Sequence, residues 1–210
     1  MTKGIEIITE GLELTTRGLD MQGLPELVVK VKMRSLIPAA KDLLTHLLQL
    51  NDHELFQPGK RIDYGYWPIT LEARGSKRLE LLELSHNGNR FVRGVTLALT
   101  FWREQTRICE HFGKIFTPPR CDQLVGISHG VLQGKPVVGV RYNPDDLMSG
   151  WVIKTDLYDG NMDALTTEHL YHLTAKRPDL TKYLALPAGF RIDFRGQKRV
   201  WFDKEVTKWH

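Results

Sequence analysis

The sequence is poor in cysteine, with Cys109 and Cys121 alone among 210 residues. Two thiols in a chain of this length do not make a disulfide framework, and they read as free groups in a reducing cytosol. No run of about 18 apolar residues occurs, so no membrane-spanning helix and no membrane partner are expected. The opening MTKGIEIITEGLELTT lacks a basic stretch followed by an apolar one, so a secretory signal is not expected there. Neither a Walker-type phosphate loop nor a GxGxxG turn is present. There is no internal repeat and no low-complexity tract. Nor is there a concentrated basic face interleaved with aromatics: the net charge of +4 and pI near 9.0 describe a mixed surface, and no nucleic-acid partner is expected. What the chain does have is apolar residues, 41% of the total, spread along its length. They suffice for one large domain or two small ones and argue against disorder.

GIEIITEGLELTTRGLD alternates apolar and polar residues, with Gly11 and Gly18 as breaks, and predicts strands. Leu24 to Met33 continues in that mode. Leu43, Leu44, Leu47 and Leu48 recur at helical spacing behind Ser35 and Pro38, which predicts a helix over about 36–50. ITLEAR and LELLELS predict a hairpin about Gly75-Ser76, ended by Asn87-Gly88-Asn89. A second helix is predicted over about 91–112, stopped by Gly113. Short strands follow near Leu124–Ile127 and in PVVGVRY. Turn residues and an acidic pair make Asn143 to Gly150 the best boundary in the chain. Beyond it, Pro178 suits a first helical turn, DLTKYLAL predicts a short helix, and FRIDFRG with RVWFDKE predicts a hairpin about Gly196. The expected fold class is therefore α+β: a mostly antiparallel sheet with two main helices in residues 1–145, then a small α+β domain over residues 149–210.

Candidate chemistry concentrates in the last quarter. Asp156, Asp159, Asp163 and Glu168 stand against Lys154 alone between Trp151 and Leu170, and a basic stretch from Lys176 to Arg199 follows. Such a dipolar surface suits protein partners. His169 and His172 would share a helix face, or take opposite faces of a strand, and two ligands do not make a zinc site. DLYDGNMD lacks the regular alternation and closing glutamate of a calcium loop. GISHG, from Gly126 to Gly130, fits the letters of a serine nucleophile turn, yet VLQGKPVV follows where a helix is needed, and a hairpin connection explains the glycines better. Tyr64, Tyr66 and Trp67 form an aromatic cluster that reads as core, with base stacking or interface anchoring as the other possibilities.

From Ser149 to Asp203 the order Gly150-Trp151, Asp156, Asp159-Gly160, His169, His172, Pro178, Tyr183-Leu184-Ala185-Leu186-Pro187 with Gly189, then Trp201 and Asp203 resembles immunity protein family 33 of bacterial polymorphic-toxin systems. A shorter likeness, Leu47-Leu48-Gln49 followed by Phe56 to Ile62 with its Pro58-Gly59, is similar to suppressor-of-fused-like domains. The first resemblance implies a cytoplasmic immunity protein that binds and neutralises a cognate toxin by occlusion, with no catalytic residue, no metal and no cofactor. The expected partner surface is Asp156, Tyr158, Asp159, Asp163 and Glu168, bordered by His169 and His172. The basic net charge points to a toxin other than a nuclease. Two alternatives stand beside this: a small hydrolase using Ser128 or the His169/His172 and carboxylate region, and a non-catalytic regulatory module. The oligomeric state is not legible.

Overall fold

The computed structural model describes residues 4–50 and 52–208. The chain divides into two compact units, Met1–Arg103 and Glu104–His210. No helix among the described residues is long and apolar enough to cross a membrane.

The first unit is a sheet with helices. Its strands are β1 (Glu6–Glu10), β2 (Glu13–Arg17), β3 (Glu26–Lys30), β4 (Arg61–Ile62), β5 (Ile69–Ala73), β6 (Arg78–Leu84) and β7 (Phe91–Arg93). They run in the order β1-β2-β3-β6-β5-β4, with β7 also on β6. The β1–β2 hairpin about Gly11 and the β5–β6 hairpin about Gly75 follow the predicted breaks. Helix α1 (Ile37–Leu50) packs against β2 and β3. Its Ala40, Leu43, Leu44 and Leu47 are buried, as are Leu14, Leu27 and Val29, which alternation places on one sheet face. Tyr66 and Trp67 are core residues, and the Trp67 indole N–H donates to the Leu84 carbonyl at 2.7 Å. Glu26 ties the Gly18–Asp20 turn: its carboxylate accepts from the Gly18, Leu19 and Asp20 amides and from the Thr16 hydroxyl.

The second predicted helix begins later than expected. α2 spans Thr96–His111, and Phe91–Arg93 are strand β7 instead. Gly94 is the reason: it sits at φ +91, and a Cβ there would lie 2.7 Å from the Lys30 carbonyl oxygen. That left-handed residue ends the strand two places before the helix starts.

The second unit takes the later half of α2, from Glu104, and six strands: β8 (Leu124–Ile127), β9 (Val138–Arg141), β10 (Met148–Lys154), β11 (Thr166–His169), β12 (Phe190–Asp193) and β13 (Arg199–Phe202). Their order is β11-β8-β10-β9-β12-β13. Short helices α3 (Leu170–Lys176) and α4 (Pro178–Thr181) precede β12. Trp151, Ile153, Phe190, Leu170, Leu173, Leu180 and Leu186 form its core.

Two expectations are corrected. The sheets are mixed: among antiparallel pairs, β3 runs parallel to β6 in the first, and β8 parallel to β10 in the second. Each parallel pair is joined by a long crossover, as parallel pairing requires. The boundary placed at 145–149 is no boundary. Asn143–Leu147 lies in the hairpin connection from β9 to β10, adjacent strands of one sheet, with Asp145 accepting the Leu147 amide at 2.8 Å, and Met148–Gly150 open β10. Turn chemistry is the same in a hairpin and in a linker. The second unit is correspondingly larger than the expected 149–210.

Candidate partner-binding surface

The segment Tyr183-Leu184-Ala185-Leu186-Pro187 is mostly turn, not the continuous helix its spacing suggested, and it is largely buried. Buried turns leave carbonyls that need donors. Here the donors come from other elements. The Arg141 guanidinium, on β9 and 1% exposed, donates to the carbonyls of Leu184 and Leu186 and also to those of Thr117 and Ser149. The Trp151 indole N–H donates to the Leu184 carbonyl at 3.0 Å. Ala185 accepts from the Thr117 amide and from the Cys109 thiol on α2. Burial pulls the Arg141 pKa down to about 10 and pushes the Cys109 thiol up. Gly189, at φ +94, closes the turn beneath the Phe202 ring, where a Cβ would come within 2.5 Å. These residues build the unit, and they are shut off from solvent.

The exposed groups lie around that frame. Between β10 and β11, residues 156–165 form a loop held by its own side chains. Asp159 accepts the Asn161 amide at 2.9 Å, and Asn161 in turn accepts the Asp163 amide at 3.0 Å. The Lys154 ammonium sits 4.5 Å from the centre of the Tyr158 ring, and the Tyr158 hydroxyl donates to the Met162 sulfur at 3.3 Å. Asp156, Asp159 and Asp163 are exposed. So are Leu157 at 53% and Met162 at 69%. These two apolar side chains were missed in the sequence, where their only signal is that they alternate with acids in DLYDGNMD.

The structure divides the expected surface in two. Asp156, Tyr158, Asp159 and Asp163 share the loop. Glu168, His169 and His172 form a separate group where β11 turns into α3. His169 ends β11 and stands at the N-cap of α3, so neither the helix-face nor the strand-face expectation holds. Its Nδ1 lies 2.7 Å from the Asp122 carbonyl, and its ring stacks on Tyr171 at 5.3 Å. The His172 Nδ1 lies 3.1 Å from a Glu168 oxygen, and the two imidazoles are 6.1 Å apart. Among the described residues no cluster of three or more histidine, cysteine, aspartate or glutamate side chains has metal-binding geometry.

Charge is redistributed as well. Asp156 is paired with Arg195 at 3.1 Å, and Arg195 also engages Asp193 at 3.0 Å. Arg199 adds a second guanidinium to Asp193, whose pKa is held well below the ordinary carboxylate range, chiefly by the hydrogen bonds from Arg195. Asp159 and Asp163 make no such pair among the described residues.

Ser128 follows β8 and is buried. Its hydroxyl accepts the Thr155 amide at 2.9 Å, and its other neighbours are the His129 carbonyl and the Thr155 hydroxyl. Turns, not a helix, follow it through residue 134. A nucleophile turn needs strand, serine and helix in succession and an imidazole on the hydroxyl. Ser128 has neither the helix nor the imidazole.

Residues 104–203 match a protein family described as the Imm33-like domain. The match starts at the first residue of the second compact unit and extends well before the Ser149 start of the sequence resemblance. Nothing among the family matches supports the suppressor-of-fused likeness of residues 47–62. No curated protein and no solved structure matches the chain.

Proposed function

We propose that this chain is a cytoplasmic immunity protein that binds a cognate bacterial toxin and neutralises it by occlusion, on the ground that residues 104–203 match the Imm33-like domain, of the immunity protein 33 type. The observation that carries the reading is that this match begins where the compact unit Glu104–His210 begins and covers nearly all of it. Occlusion needs a complementary surface and no active site. The 156–163 loop supplies one. Leu157 and Met162 offer apolar contact, Tyr158 offers an aromatic held by Lys154, and Asp159 and Asp163 offer unpaired charge. Glu168, His169 and His172 border it along the chain.

Net charge does not set the toxin's class. Residues 155–169 contain four carboxylates and no lysine or arginine, whereas residues 190–208 contain six basic and three acidic side chains, a local +3 out of the chain's +4. The loop is therefore acidic inside a basic chain, and it fits a basic face on the toxin.

The test is co-expression with the product of the neighbouring toxin gene, scoring growth rescue and co-purification. Rescue with a stable complex is expected. In that complex, joint reversal of Asp159→Lys and Asp163→Lys should weaken binding by about 10-fold or more, as lost interfacial charge complementarity does. A stable complex whose affinity ignores both reversals would place the interface elsewhere.

A further inference from the structure

The C-terminal sheet ends on β13, which pairs only with β12 among the described residues. The Asp203 amide donates to the Gly189 carbonyl at 2.8 Å, and the register opposes Arg191 to Trp201 and Asp193 to Arg199. Antiparallel ladders alternate. Trp201 and Arg199 therefore exchange bonds with β12, and the N–H and C=O groups of Val200 and Phe202 face the open side.

Edge strands are usually short, charged or covered. This one carries two large aromatics in the open, Trp201 at 38% and Phe202 at 44% exposed, on opposite faces. Each has a cation beside it: Arg199 lies 5.6 Å from the Trp201 ring centre, and Lys114 lies 4.5 Å from that of Phe202. The carboxylates nearby are already engaged, Asp193 by Arg195 and Arg199 and Asp203 by Arg191. Lys198 and Lys204 make no ion pair among the described residues.

We propose that β13 is a docking edge for an extended, acid-bearing segment of a partner protein, which adds as a seventh strand. The open backbone groups of Val200 and Phe202 supply the ladder, and Trp201 and Phe202 clamp alternate side chains from the two faces. The local +3 selects the occupant. A second copy of β13 would bring like charges together, whereas acidic side chains would meet unneutralised lysines. This site lies apart in sequence from the acidic 156–163 loop and does not depend on the identity of the toxin.

The test uses the full chain and a fluorescein-labelled ten-residue peptide of alternating glutamate and valine, read by anisotropy. A lysine–valine peptide is the control. Saturable binding of the glutamate peptide alone is expected, weakened by added salt. Val200→Pro removes one outward N–H without touching a bond to β12, and Trp201→Ala removes one clamp. Each should cost about 10-fold in affinity while the thermal unfolding midpoint of the chain stays within a few degrees. If Val200→Pro does not fold, slowed amide exchange at Val200 and Phe202 on adding the peptide reads the same contact. The proposal is overturned if the glutamate peptide does not bind, if both peptides bind alike, or if binding survives both substitutions. Co-purification with the toxin tests the immunity reading separately.

Discussion

Arg141 is fully buried and donates to four main-chain carbonyls, those of Thr117, Ser149, Leu184 and Leu186. Each buried carbonyl left without a donor costs about 1–3 kcal/mol. Arg141→Lys keeps the charge but gives up the planar fork that reaches several acceptors. It should lower unfolding stability by about 2–4 kcal/mol, read from the urea midpoint. Gly189→Ala should be comparably damaging, because its Cβ meets the Phe202 ring and its φ of +94 disfavours any side chain. The importance of Gly189 was legible in its place after Leu186-Pro187. That of Arg141 was not, since nothing in PVVGVRY marks one arginine as the support for a turn more than forty residues downstream. The acidic loop was legible because its members are sequence neighbours. The pairing of Asp156 with Arg195, 39 residues on, was hidden for the opposite reason.

Among the elements, β6 and α2 carry a titratable contact. Glu83 on β6 is buried and accepts the Ala98 amide at the start of α2 at 2.7 Å. Burial raises its pKa from 4.5 to about 7, against the opposing pull of the helix amides and of Lys32. The folded state thus holds this proton more tightly than the unfolded state does. The associated stability is fully present below pH 4.5 and is lost as pH rises to about 7, a change of about 3 kcal/mol. Glu83→Gln should flatten that dependence, with a stability gain over the parent at pH 8 and none near pH 4.5, measured by urea denaturation at each pH. Local pattern predicted the elements well where it was strong. Alternation in ITLEAR and the leucine-rich run LELLELS give β5 and β6, and leucine spacing gives α1. It failed where a tertiary contact decides. Phe91–Arg93 fits a helix by pattern, yet Gly94 against Lys30 makes it a strand. The parallel pairs β3–β6 and β8–β10 are also invisible locally, because alternation shows that a segment is a strand and says nothing about its neighbour.

For the molecule as a whole, the family match and the compact division agree on residue 104, inside α2. A fragment of residues 96–210 keeps that helix entire. It should retain toxin binding in a pull-down if the 156–163 loop is the interface, and loss of binding would assign part of the surface to residues 1–95. The division escaped sequence reading because a helix carries no turn residues at the point where one compact unit gives way to the next. Asn143–Gly150, rich in them, runs from the β9–β10 connection into β10 of the same sheet.

The four acceptors of Arg141 set a timetable for the second unit. Two of them, Leu184 and Leu186, leave the ribosome more than forty residues after the guanidinium does, and β12, which flanks β9 on its outer side, comes later still. Until then the growing chain holds an arginine whose burial site is unfinished and a sheet whose middle strand is its edge. The second unit closes only once residues 184–193 have joined it. A chain cut before Leu184 lacks two of the four acceptors and both strands β12 and β13, so its second unit should not close.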